Sequence, residues 1–169
     1  MKVNSAVANK ILKKITEEYE ALKVKEAHSK DFLASVNENP ESIRPKYDFG
    51  KTQSELYAIE KKIRKIKHAL NVFNANTIVP EFGISIDEML VLIPQLTKQK
   101  SKLGAMKDRL PKMREKVVGY GANSVIDYRY INYDIDEAQN EYIKISEKLT
   151  KAQLALDNVN TSIEFELDI

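Results

Sequence analysis

Four of the eight tyrosines in this 169-residue chain, Tyr120, Tyr128, Tyr130 and Tyr133, fall together with Arg129 inside residues 120–133. Tyrosine supplies a large, rigid contact area with a polar tip at modest entropic cost, and arginine adds a planar fork for stacking or paired hydrogen bonds. The chemistry open to this cluster is non-covalent capture of a partner or small ligand. A structural role is the preferred alternative, in which alternate tyrosines on a short strand cover the end of a thin helical bundle. The same question attaches to two matching segments, Asn74-Ala75-Asn76-Thr77-Ile78 and Asn158-Val159-Asn160-Thr161-Ser162. Their amides suit helix ends and turns, with ligand or partner contact by Asn74, Asn76, Asn158 and Asn160 as the second reading.

Covalent and metal chemistry find little support. There is no cysteine, and His28 and His68 are the only histidines, with no Glu-x-x-His pair. The ligand sets of a di-iron bundle and of structural zinc are therefore missing, and no metal, cofactor or catalytic residue is expected. Neither histidine lies beside a turn that would present a nucleophile; both should face solvent. The acidic groups Glu17, Glu18 and Glu20, and Glu164, Glu166 and Asp168, read as solvated faces, because general acid-base work needs burial to move a pKa. Gly119-Tyr120-Gly121 has no strand before it and no Lys-Ser after it, so it is not a phosphate cradle.

The elements that must position these residues announce themselves by a seven-residue apolar repeat. Ile135, Ala138, Tyr142, Ile145, Leu149, Ala152, Leu156, Val159 and Ile163 alternate steps of three and four, the seam of a coiled coil. Ala8, Leu12, Ile15, Tyr19 and Leu22 do the same in a helix predicted over residues 3–36, where Glu26 and Ser29 occupy the next seam positions. Asn39, Pro40, Pro45 and Asp48 end that helix. Leu56, Ile59, Ile63, Ile66, Leu70 and Phe73 predict a returning helix over residues 49–74. Ser85 and Glu88 form a capping box that starts a third helix at Ile86, with Ile86, Leu90, Ile93, Leu96, Leu103, Leu110, Met113 and Val117 in its seam and Lys100 skipped. Pro94 and Pro111 should bend or interrupt it, Gly104 loosens it, and Gly119-Tyr120-Gly121 closes it. Residues 75–84, 124–133 and 163–169 carry strand character.

The fold class expected is all-α: two antiparallel coiled-coil hairpins, residues 3–74 and 86–162, with a β-like connector at 75–84, a short tail at 163–169 and a small β element built from the connectors. One domain is expected. Helix, connector, helix and asparagine-threonine segment follow one another twice, as a duplication with a small insertion would give.

Composition narrows the partners. The chain is 43% hydrophobic with a net charge of +2. Its start resembles no signal peptide, and the apolar run at residues 89–94 is far short of the ~20 residues that cross a bilayer, so a soluble, cytoplasmic protein is expected. Residues 98–116 carry eight cations against Asp108 and Glu115, whereas residues 134–169 carry nine acids against Lys144, Lys148 and Lys151. Two segments lying side by side, with flanking charges attracting across the seam, account for this. Nucleic-acid or acidic-lipid binding by the basic segment is the alternative, and nucleic acid is not an expected partner. Lys61, Lys62, Arg64, Lys65 and Lys67 surround Ile63 and Ile66 as coiled-coil flanks do.

Four segments occur in the order found in a group of uncharacterised bacterial proteins often labelled septicolysin-like. They are Leu70-Asn71-Val72-Phe73-Asn74-Ala75-Asn76-Thr77, Ile84-Ser85-Ile86-Asp87-Glu88-Met89-Leu90, the connector at residues 125–135, and Asn158-Val159-Asn160-Thr161. Over most of its length the chain resembles that family. The resemblance implies helical hairpins, and the label implies a cytolysin, which the composition disfavours because it lacks the β-rich, amphipathic character of a pore-forming toxin. Pro94 and Pro111 depart from the family pattern, which leaves that helix continuous. The expected function is a non-enzymatic assembly or interaction protein, homo-oligomeric because thin hairpins ~45 Å long need cover on both faces. An oligomer that binds or sequesters a small ligand beside Arg129 and the tyrosines is the alternative.

Overall fold

The computed structural model describes residues 1–115 and 127–169, a mostly helical chain with small antiparallel strand pairs. Its elements run β1 (Lys2–Asn4), α1 (Ser5–Ser29), α2 (Pro40–Ile43), α3 (Phe49–Asn76), β2 (Ile78–Val79), β3 (Ile84–Ser85), α4 (Ile86–Lys107), β4 (Lys112–Arg114), β5 (Tyr128–Tyr130), α5 (Ile135–Ser162) and β6 (Glu164–Glu166). They divide into two compact units, Met1–Ile78 with Asp157–Ile169, and Val79–Leu156. Among the described residues no helix is long and apolar enough to cross a membrane.

In the first unit α1 and α3 run antiparallel. Ala8 shares a core with Ile66 and Leu70 at one end, the Tyr19 hydroxyl donates to Glu60 at 2.7 Å midway, and Glu26 accepts from Gln53 at 2.6 Å at the far end. The side chain of Asn4 caps α1 by accepting from the Val7 amide at 2.9 Å. Val3, expected to be helical, is a strand residue instead, because β1 finds a partner in β6. Val3 pairs with Phe165 and Lys2 with Glu166, and the period of two turns the apolar pair toward the core and the charged pair to solvent. Phe165 then stacks on Phe73 with ring centroids 4.7 Å apart. Helix α1 stops at Ser29, short of the expected residue 36. Leu33 and Val36 are fully exposed, so no packing offsets the entropy of keeping that stretch helical. Asn39 caps α2, and Asp48 caps α3 through the Lys51 amide at 2.9 Å.

In the second unit β2 and β3 pair around a tight turn in which the Phe82 and Gly83 amides donate to the Val79 carbonyl at 3.1 and 2.9 Å. Gly83 has φ +65°, a region open to glycine at no steric cost. The capping box at the start of α4 is present as expected: the Glu88 amide donates to Ser85 Oγ at 3.2 Å, and the Ser85 amide donates to Glu88 Oε2 at 2.9 Å.

The seam of α4 differs from the expected one. Met89 is completely buried and Leu90 is 48% exposed, so the first step from Ile86 is three residues. The seam then passes through Ile93, Leu96, Lys100, Leu103 and Lys107, all at least half-buried. Helix α4 continues past Pro94 and ends at Lys107. It does not run through Pro111, whose ring denies the backbone an N–H and disfavours helix in the residue before it. Leu110 and Met113 are exposed and outside the seam, and Met113 lies in β4. Val117, Gly119 and Gly121, also expected in or closing that helix, lie outside the described residues. In α5 Ala138, Leu149, Ala152, Leu156 and Val159 are buried as the repeat requires, while Ile163 falls beyond the helix end and is largely exposed.

Candidate functional site

The strand character read into residues 124–133 takes the form of β5, and its partner is β4. The register is Lys112 opposite Tyr130, Met113 opposite Arg129, and Arg114 opposite Tyr128. Flanking hydrogen bonds run from the Glu115 amide to the Asp127 carbonyl at 2.9 Å and from the Ile131 amide to the Pro111 carbonyl at 3.2 Å. Bonded and non-bonded pairs alternate in an antiparallel ladder. Lys112 with Tyr130 and Arg114 with Tyr128 are therefore the non-bonded pairs, whose side chains approach most closely, and all four project from one face. Lys112 Nζ stands 4.1 Å from the Tyr128 ring centroid and 5.4 Å from that of Tyr130. Both rings remain open to solvent, at 46% and 63% exposure.

Arg129 points to the opposite face. Its guanidinium donates twice to Glu115, Nε to Oε2 at 2.9 Å and Nη2 to Oε1 at 2.8 Å. These hydrogen bonds raise the arginine pKa and lower that of the glutamate, so the planar fork is already engaged. The Tyr133 hydroxyl donates to the Met106 carbonyl at 2.8 Å, joining the Arg109 amide, which donates to the same carbonyl at 3.2 Å. Tyr120 lies outside the described residues. The cluster thus separates into an exposed pair, Tyr128 and Tyr130, and two residues with structural partners.

The four asparagines do not form one site. Asn76 is exposed, and its Nδ2 donates back to the Val72 carbonyl at 2.8 Å; Asn74, two residues earlier, is half-buried. Asn158 is exposed, and its carbonyl accepts from Thr161 Oγ1 at 3.2 Å and Ser162 Oγ at 2.6 Å. Asn160 is half-buried, with an Oδ1 that has no hydrogen-bond partner among the described residues. None of them caps a helix start; Asn4, Asn39, Asp48 and Ser85 do.

Two further polar arrangements sit inside the seams. At the far end of the α1–α3 pair, Glu26 Oε1 accepts from the Tyr47 hydroxyl at 2.7 Å and from Gln53 Nε2 at 2.6 Å, and the Tyr47 pKa is raised by the hydrogen bond to that carboxylate. Glu26 and Tyr47 border a cavity of about 460 Å³ that Lys25, Lys46, Asp48 and Lys51 also line. In the second unit, Lys100 and Lys107 hold their amines 5.8 and 5.1 Å from the Tyr142 ring centroid. Gly104 makes the space, since a Cβ there would lie 3.4 Å from the ring. His28 and His68 are both exposed. Among the described residues no group of three or more His, Cys, Asp or Glu side chains is placed to hold a metal ion.

Sequence reasoning singled out Tyr128 and Tyr130 as part of the connector and counted Lys112 and Arg114 in the basic segment, but did not bring the two together. The available signal was the alternation Lys112-Met113-Arg114 directly after Pro111, the partner that an isolated strand at residues 128–130 requires.

The molecule so built belongs to a class of helical proteins punctuated by short antiparallel strand pairs. No protein-family model and no curated protein matches the chain. Among solved structures it is similar to the crystal structure of a functionally unknown conserved protein from Corynebacterium diphtheriae. The TM-score is 0.64 over 98% of this chain and 100% of that one, at 13% sequence identity, a likeness of fold alone.

Proposed function

We propose that the protein is a non-enzymatic assembly or interaction protein of the cytoplasm, a homo-oligomer in which antiparallel coiled-coil hairpins form the scaffold and the β4–β5 ribbon offers a contact surface. The observation that carries this reading is the apolar surface left over once the seams are filled. Leu90 and Val91 on α4 are 48% and 58% exposed, and Ile143 and Leu154 on α5 are 44% and 59% exposed. A second copy covering such side chains would recover about 25 cal/mol per Å² of apolar surface. The resemblance to the septicolysin-like group supports the helical scaffold and adds no activity. A ligand-sequestering role centred on Arg129 is disfavoured because Glu115 already occupies the guanidinium. Sedimentation equilibrium at micromolar concentration tests the proposal. A defined multimer is expected, with Leu90→Glu and Leu154→Glu shifting it toward monomer; a wild-type monomer at that concentration removes the assembly reading.

A further inference from the structure

The ribbon face combines two features that one class of molecule answers together. Lys112 and Arg114 are exposed and form no ion pair within 4.0 Å among the described residues; of the two carboxylates beside the ribbon, Glu115 is bound to Arg129 on the other face, and Asp127, opposite Glu115, falls on that same other face by the strand period. Between Arg109 and Ile126 the cations Arg109, Lys112, Arg114 and Lys116 are answered by Glu115 alone, so no acid in that stretch is left to neutralise the face. On the same face two tyrosine rings stand two residues apart on β5, roughly 7 Å along the strand, 46% and 63% exposed, with the Lys112 amine beside them. An acidic peptide would complement the cations but leave the rings idle, and an apolar peptide would do the reverse. A single-stranded nucleic acid supplies phosphates for the cations and base π-faces for the rings, the combination used by stacking platforms on β-sheets.

We infer that the β4–β5 ribbon binds single-stranded nucleic acid, with Tyr128 and Tyr130 stacking on successive bases and Lys112 and Arg114 meeting the phosphates. This rests on the reading of the ribbon as a contact surface and replaces the expectation that nucleic acid is not a partner. Two rings and a few cations make a short footprint. Binding is therefore weak per subunit, tolerant of sequence, and strongly dependent on salt.

The test is fluorescence anisotropy of a labelled oligothymidylate of about 12 nucleotides with the full chain, across a salt series. Binding at low salt is expected to weaken with a log–log slope of about −1.4, the value for roughly two phosphates contacted on a single strand. Tyr128→Ala and Tyr130→Ala should each weaken it on the order of tenfold, whereas Tyr128→Phe should retain it. The double change Lys112→Gln with Arg114→Gln should flatten the salt dependence. Far-UV circular dichroism and sedimentation on each variant separate lost binding from lost fold or lost assembly. The inference is overturned by no binding at low salt. It is also overturned by binding indifferent to both tyrosine changes, which would mark diffuse attraction to other lysines. Displacement by oligoglutamate as readily as by unlabelled oligothymidylate would overturn it in favour of an acidic protein segment, leaving the contact-surface reading intact.

Discussion

Both units carry polar side chains at helix positions whose three-four spacing otherwise holds aliphatic ones, and they accommodate them by different means. In the α1–α3 pair the intruder is the acceptor Glu26, and the neighbouring segments bring it donors, the Tyr47 hydroxyl and the Gln53 amide. In the second unit the intruders are the donors Lys100 and Lys107, and α5 brings them the electron-rich face of Tyr142, seated where Gly104 lacks a side chain. The first arrangement uses directional hydrogen bonds at the end of the α1–α3 pair that the connector closes. The second lets long alkyl stems pack along the helix while the amines reach the Tyr142 ring and, for Lys107, the Asp108 carboxylate at 2.6 Å. A seam position is therefore defined by its place in the three-four spacing, and its residue type decides only how its polar end is satisfied.

The comparison can be broken most directly at the buried apolar positions within each unit. Ile66→Ala in the first unit and Met89→Ala in the second each empty a completely buried site and should cost about 2–5 kcal/mol in urea unfolding. Leu90→Ala, one residue from Met89 but half exposed, should cost under ~1 kcal/mol. Equal effects at residues 89 and 90 would contradict the seam described for α4. Next in size, Gly104→Leu would drive a side chain into the Tyr142 ring and is expected to destabilise by about 1–3 kcal/mol. Gly104→Ala, whose Cβ reaches ordinary contact distance, should instead be neutral or stabilising by up to ~1 kcal/mol through helix propensity. The thermal midpoints of the two variants should thus move in different directions.

Removing the capping hydroxyl with Ser85→Ala should cost about 1 kcal/mol, read as a lower thermal midpoint.

The smallest effects are the pH dependences. Hydrogen bonds to Glu60 and Glu26 raise the folded pKa values of Tyr19 and Tyr47 above 10.0. A raised folded value means that their stabilisation is complete below the unfolded pKa and disappears as pH climbs through the folded one. Absorbance titration of tyrosinate should show two late-ionising groups, one restored toward its ordinary value by Glu60→Gln and the other by Glu26→Gln. Glu88 and Glu115 behave in reverse. The Ser85 cap and the Arg129 guanidinium, respectively, lower their folded pKa values from 4.5, so their contribution is present above the unfolded value and fades as pH falls through the folded one. Glu88→Gln should remove its share of that acid dependence.

The chain itself settles what depends on neighbours within a few residues. The start of α4 follows from Ser85 and Glu88, whose reciprocal bonds need only one helical turn. The seams of α3 and α5 follow from spacing, because a helix of regular pitch turns every apolar side chain at three-four intervals to the same side. Tyr128 and Tyr130 stood out by composition only as members of a tyrosine-rich connector, for which a structural role was the preferred reading. Long-range pairing decided the remainder. Val3 became a strand residue only because Phe165, 162 positions later, closes against it, and Ser29 ended α1 because nothing packs on Leu33 and Val36. Arg129 and its neighbouring tyrosines went to opposite faces because pairing with β4 in the observed register made residues 128–130 a strand, whose successive side chains alternate. That register also placed Lys112 over Tyr128, since cross-strand contacts are set by the partner strand and cannot be read from either strand alone.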